Sequence, residues 1–129
     1  MLHGKCLCES VRYEVSGKLG PLGYCHCSQC RRATGAAFKP FAGIERGKFR
    51  IESGEGKLLI YGNAANHDAH CSVCGSFLFS VVRDGNFVHV NLGALKDKPT
   101  LRPTAHIHVG SKAAWYTIAD DLPQHEALP

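Results

Sequence analysis

A mainly β chain broken by short helical turns is the fold class that the sequence predicts, on three observations. Apolar residues come in short, strand-length runs, several of them alternating with polar ones. Fourteen glycines and six prolines supply many turns. Helical signal is thin. At 129 residues, with 44% hydrophobic and 20% charged residues, the chain reads as one ordinary globular domain over residues 1–129.

The elements follow in order. Val11-Arg12-Tyr13-Glu14-Val15 alternates as a half-buried strand does, and Leu58-Leu59-Ile60-Tyr61 is an apolar run of strand length. Phe77–Val82 is aromatic and β-branched, and Asp84-Gly85 favours the positive φ angles of a two-residue hairpin turn. Phe87–Leu92 is then the returning strand. His106–Val109 and Ala113–Ile118 are further strand candidates. One helical turn or two fits Ser28–Ala33, with Ser28 as N-cap and Gly35 just past the end.

No apolar run approaches the ~18 residues that cross a bilayer, and Met1–Cys6 has no apolar core of an export signal. These features predict a cytoplasmic protein with no membrane partner. Seven cysteines cannot all pair, and thiols stay reduced in that compartment, so metal ligation is the leading role for them.

Their spacing agrees. The clusters are Cys6-x-Cys8, Cys25-x-Cys27-x-x-Cys30 and Cys71-x-x-Cys74. On an extended strand, residues i and i+2 share a face about 6.5–7 Å apart, within reach of one ion. C-x-x-C converges through a tight turn, which Gly75 would allow. Cys6, Cys8, Cys71 and Cys74 make a closed four-thiolate set of the kind structural zinc uses. Cys25, Cys27 and Cys30 are one short, as a reactive zinc site requires. A histidine (His26, His67, His70 or His3) closing this second set into another structural site is the alternative.

Other readings are weaker. Neither C-x-x-C lies in the βαβ context of a thioredoxin-like redox motif. The H-x-E and P-C-x-x-C pair of zinc deaminases is absent. The net charge of +4 falls to about +1 with seven thiolates on two Zn²⁺ ions, and basic and aromatic residues do not interleave, so nucleic acid is not an expected partner.

Beyond spacing, the chain resembles the glutathione-dependent formaldehyde-activating enzyme family. The resemblance is carried by Gly4-Lys5-Cys6-Leu7-Cys8 with Val11-Arg12-Tyr13, by Cys25-His26-Cys27-Ser28-Gln29-Cys30-Arg31 with Gly35, and by Cys71-Ser72-Val73-Cys74-Gly75. His106–Val109, Trp115 and Asp121-Leu122-Pro123-Gln124 extend it to the C-terminus. Two departures stand out: Glu9 occupies a position where the family usually has glycine, and the chain is shorter than the enzymes for which the family is named.

The resemblance implies a zinc-stapled β-tent fold, a structural zinc on Cys6, Cys8, Cys71 and Cys74, and a reactive zinc on Cys25, Cys27 and Cys30. It implies a carbon–sulfur lyase resembling S-(hydroxymethyl)glutathione synthase, with glutathione or a similar thiol and formaldehyde or another small aldehyde as substrates. Arg31, Arg32 and Lys39 are candidate cations for an anionic thiol, and His26 or His70 for proton transfer. Phe38, Phe41 and Trp115 are candidate pocket walls. A non-catalytic zinc-stabilised module that binds a protein partner is the alternative function.

Overall fold

The computed structural model describes residues 1–129. The first five strands are β1 (Leu2–Lys5), β2 (Arg12–Val15), β3 (Leu22–Cys25), β4 (Lys39–Glu45) and β5 (Phe49–Ser53). The rest are β6 (Leu58–Gly62), β7 (His67–Cys71), β8 (Phe77–Val82), β9 (Phe87–Asn91) and β10 (His106–Ile107). They form a three-stranded sheet, β1-β2-β5, and a seven-stranded sheet, β10-β3-β4-β9-β8-β7-β6. The fold is mainly β, as expected, with one helix, α1 (Ser28–Thr34). No helix is long and apolar enough to cross a membrane.

Side-chain alternation sorts the large sheet into two faces. One carries Ala42, Ile44, Val88, Val90, Phe79, Val81 and Ala69, which pack with Tyr13 and Val15 of the small sheet, and with Val11 just before it, into the core. The other is chemical. Register places Cys25 opposite Lys39, His89 opposite Ser80 and Ser80 opposite Asp68, so these residues line one face across five strands. Period two on β7 also divides its residues between two sites: Cys71 goes with the core, while Asp68 and His70 face the other side.

Three expectations need correction. Ala113–Ile118 is not a strand; a turn spans Ala114–Trp115, and Trp115 is 72% exposed. The β8–β9 hairpin closes with four residues rather than two, because Val82–Phe87 is its last pair and Arg83 joins Asp84 and Gly85 at positive φ. β10 stops at Ile107 because His108 turns to φ 56°. β4 carries no alternation signal and contains Pro40. Proline is tolerated there because pairing with β9 begins only at Phe41, so no ladder bond is lost on that side.

Candidate metal centres

The first cluster joins the end of β1 to the end of β7. Cys6 and Cys8 lie in a turn, not on the strand expected for C-x-C; Glu9 N–H donates to Cys6 O at 3.1 Å and Glu9 sits at φ 66°. That left-handed backbone is the physical reason for a glycine at this position. Cys71 and Cys74 meet as expected through a tight turn, with Gly75 at φ 80° donating to Cys71 O at 2.8 Å.

The four sulfurs lie within 4.8 Å of one another, with Cys6–Cys8 at 3.7 Å and Cys8–Cys71 at 3.8 Å. A tetrahedron with ~2.3 Å zinc–sulfur bonds has edges of about 3.8 Å, so the donor set fits zinc. All seven cysteines are unbridged. Backbone N–H groups of Val11 and Cys74 donate to the Cys6 and Cys71 sulfurs, at 3.3 and 3.5 Å, although burial outweighs the Val11 bond and pushes the Cys6 thiol up.

The second cluster sits where β3 runs into α1. Cys25 ends the strand, and Cys27 keeps an extended backbone (φ −64°, ψ 154°), so here the i, i+2 arrangement holds. Cys27, not Ser28, is the helix N-cap: its sulfur accepts from the Cys30 N–H at 3.2 Å. Gly35 at φ 68° ends the helix as expected. The three sulfurs lie within 4.8 Å of one another. Hydrogen bonding from Cys30 to its sulfur, partly opposed by burial, holds the Cys25 thiol down to about 5, and the Cys30 thiol is correspondingly raised.

None of the four candidate histidines joins these sulfurs. His26 turns to the opposite face, is 0% exposed, and meets His106. His3 faces Asp97, and His67 bonds the Asn63 carbonyl at 2.7 Å. His70 stacks on Phe77 with ring centroids 4.5 Å apart, and lines an open groove instead.

Two cavities flank Cys30. One of about 190 Å³ is lined by Cys30, Lys39, Asp68, Phe77, Ser80 and His89. The other, about 220 Å³, is bounded by Cys25, Cys30, Lys39, Phe41, His89 and His108. Outside them runs a groove of about 440 Å³ containing Gln29, Arg32, Tyr61 and His70. Two larger hollows, about 490 and 520 Å³, lie elsewhere and include none of Cys25, Cys27 and Cys30.

The candidate cations separate. Arg32 is exposed on the groove, while Arg31 is tied through Nε to Ser111 O at 3.0 Å. Lys39 is no surface cation: it is 6% exposed, and burial pulls its pKa below the usual lysine range against the attraction of Cys30 and Asp68. Of the three candidate aromatics only Phe41 lines one of these cavities; Phe38 packs on Tyr24, His26 and Tyr116. Sequence reasoning missed Asp68, Ser80 and His89, whose one available signal was strand parity, legible only once the register is known, and His108, which lies past the end of β10 and had none.

No curated protein matches this chain. A crystal structure of a Rhodobacter sphaeroides protein is similar in fold, with a TM-score of 0.62 and 24% identity over 76% of this chain and 91% of that one. Residues 1–111 match the family model described as glutathione-dependent formaldehyde-activating enzyme. With its two cysteine clusters in the order and spacing described above, the chain belongs to the glutathione-dependent formaldehyde-activating enzyme family.

Proposed function

We propose that this protein is a carbon–sulfur lyase that adds a thiol of the glutathione class to formaldehyde or another small aldehyde, and reverses the reaction. One observation carries the reading: three cysteine sulfurs are gathered without a fourth protein donor, beside cavities of small-molecule size. Cys25, Cys27 and Cys30 would hold the reactive zinc, and Cys6, Cys8, Cys71 and Cys74 the structural one. Zinc in the three-cysteine site supplies a means of keeping a substrate thiol deprotonated at neutral pH.

The chain's own residues supply the rest. Arg32, exposed on the outer groove, meets the carboxylates of an anionic thiol. Phe41 and Val82 wall the inner cavity and hold the aldehyde close to the sulfur, removing part of the orientational cost. His70 is open to the groove and remains the candidate for proton transfer, whereas His26 faces the interior, away from any substrate. Seven unbridged cysteines suit a reducing compartment, and we place the reaction in the cytoplasm.

The test is formaldehyde–glutathione exchange followed by NMR on zinc-loaded protein. Acceleration over a protein-free control is expected. No acceleration from protein carrying two zinc ions would sink the lyase reading and favour a zinc-stabilised binding module.

A further inference from the structure

Lys39 occupies a place where a cation is costly. It is 6% exposed in the middle of a sheet, and an ammonium removed from water costs several kcal/mol unless hydrogen-bonded and charge-paired. Its Nζ donates to Ser80 Oγ at 2.9 Å. Ser80 in turn donates its only proton to Asp68 Oδ1 at 2.6 Å, so its oxygen is held as an acceptor toward Lys39. The Phe77 ring covers a second side, 4.9 Å from Nζ to the centroid. An ammonium has three N–H groups. The third has no protein acceptor, and no carboxylate reaches ion-pair distance of Nζ.

Lys39 and Cys30 line both inner cavities together. The other basic groups there are poorer candidates for an oxygen partner. His89 is stacked on Phe41 at 4.5 Å, and burial keeps it neutral; Arg83 is exposed at the mouth, and His108 borders only the cavity of about 220 Å³, whereas Lys39 lines both.

We propose that Lys39 is a catalytic residue that takes the aldehyde oxygen, its free N–H hydrogen-bonding that oxygen while a thiolate held beside Cys30 attacks the carbonyl carbon. This rests on the lyase reading above. The sulfur lone pair forms the carbon–sulfur bond, and the carbonyl π pair moves onto oxygen. The resulting alkoxide is stabilised by the Lys39 ammonium and takes a proton from water, replacing the one the thiol gave to solvent. Asp68 and Ser80 are positioning residues: they fix where the ammonium points.

The experiment compares wild type, Lys39→Met and Ser80→Ala, each checked for zinc content and cooperative unfolding. Exchange kinetics should show kcat down about 100-fold in Lys39→Met, as for loss of one oxyanion donor, with the KM for glutathione unchanged. Ser80→Ala, which keeps the cation but frees it, should lose about 10-fold in kcat. A second readout needs no turnover: formate, a small anionic oxygen ligand, is titrated while the His89 ring signals are followed by NMR. Formate should bind wild type, at least tenfold more weakly to Lys39→Met, and a few-fold more weakly to Ser80→Ala.

Equal formate affinity in all three proteins, or an exchange rate in Lys39→Met within threefold of wild type, would overturn the assignment. If Lys39→Met does not fold, Ser80→Ala decides by the same two readouts. Lysine-dependent formate binding without exchange in wild type would instead keep the oxygen site and reject the lyase chemistry.

Discussion

His26 Nε2 lies 2.8 Å from His106 Nδ1, with both rings withdrawn from solvent. The Asp120 carboxylate stands 3.0 and 3.1 Å from His106 Nε2, so that nitrogen carries the proton and donates it. With both rings neutral, His106 Nδ1 is the acceptor, and His26 donates from Nε2. His26 Nδ1 is left as a buried acceptor without a partner. Because His26 lies between Cys25 and Cys27, this chain ties the second cysteine cluster to the C-terminal segment.

His106→Ala should therefore cost about 2–4 kcal/mol, combining a cavity against Tyr24 with two lost hydrogen bonds. Urea denaturation measures it, and nitrogen NMR of the wild-type imidazoles should find His26 Nδ1 unprotonated. A loss below 1 kcal/mol would show that the chain does not hold the loop.

Cys8 and Cys71, 63 residues apart in sequence, put their sulfurs 3.8 Å from each other, so the first cluster closes a large part of the chain on itself. Metal binding of this kind is folding free energy, about 10 kcal/mol or more for structural zinc. Cys71→Ser should lose one zinc and cooperative unfolding together, and a strong chelator should unfold the wild type. A stable Cys71→Ser protein lacking that zinc would contradict the structural assignment.

Cys27 has two jobs that substitution can separate, because it is both a donor in the second cluster and the helix N-cap. Cys27→Ala should abolish exchange and cost about 1 kcal/mol of stability, the usual worth of a cap. Cys27→Ser keeps an acceptor for the Cys30 N–H, so it should abolish exchange with most of that stability retained. Activity in either variant with normal zinc content would reject the placement of the chemistry.

Where periodicity was strong, the fold was legible: Phe77–Val82 is β8 to the residue, and β2 lies within the alternating stretch. The cysteine groupings were legible too: Cys25, Cys27 and Cys30 form one local set, and the two remaining pairs, Cys6 with Cys8 and Cys71 with Cys74, make one complete set of four. The functional face was not. Asp68 and His70 sit in β7, His-Asp-Ala-His-Cys, which has little strand propensity and forms by pairing with β6 and β8 on both sides. Lys39 is a residue type that sequence assigns to the surface, and its hydrogen-bond partner lies 41 residues away. Ala113–Ile118 misled because its aromatic residues look strand-like, yet a turn spans Ala114–Trp115 and the Trp115 ring is exposed.

Glu9 tests how the turn at the first cluster tolerates a side chain at positive φ. Strain at φ 66° is offset by ion pairs to Arg12 at 2.7 Å and Lys5 at 3.4 Å, both exposed and worth under about 1 kcal/mol. Glu9→Gly relieves strain but loses these pairs and adds unfolded-state entropy, so stability should change by less than about 1 kcal/mol. Glu9→Val places a β-branched residue in the same backbone and should cost about 2 kcal/mol. Thermal melts with zinc assay check both, and equal effects would mean the turn does not hold its conformation.

Acid should weaken the fold through His89 well before its carboxylates titrate. Burial, with Lys39 and Arg83 nearby, lowers its pKa from 6.5 to about 4. Above pH 6.5 the ring is neutral in both folded and unfolded chains, and its contribution is fully present. As pH falls from 6.5 towards 4, the unfolded chain takes up a proton that the folded one refuses, so stability drops. From pH 7 to pH 5.5 the loss from this ring is about 1 kcal/mol. Zinc content must be followed in parallel, since thiolate ligation also weakens in acid. His89→Gln should lose about 1 kcal/mol less than wild type over that interval, by denaturant titration at the two pH values. An unchanged interval would show that the ring is protonated in the folded protein, beside Lys39, and that the cavity floor carries two cations rather than one.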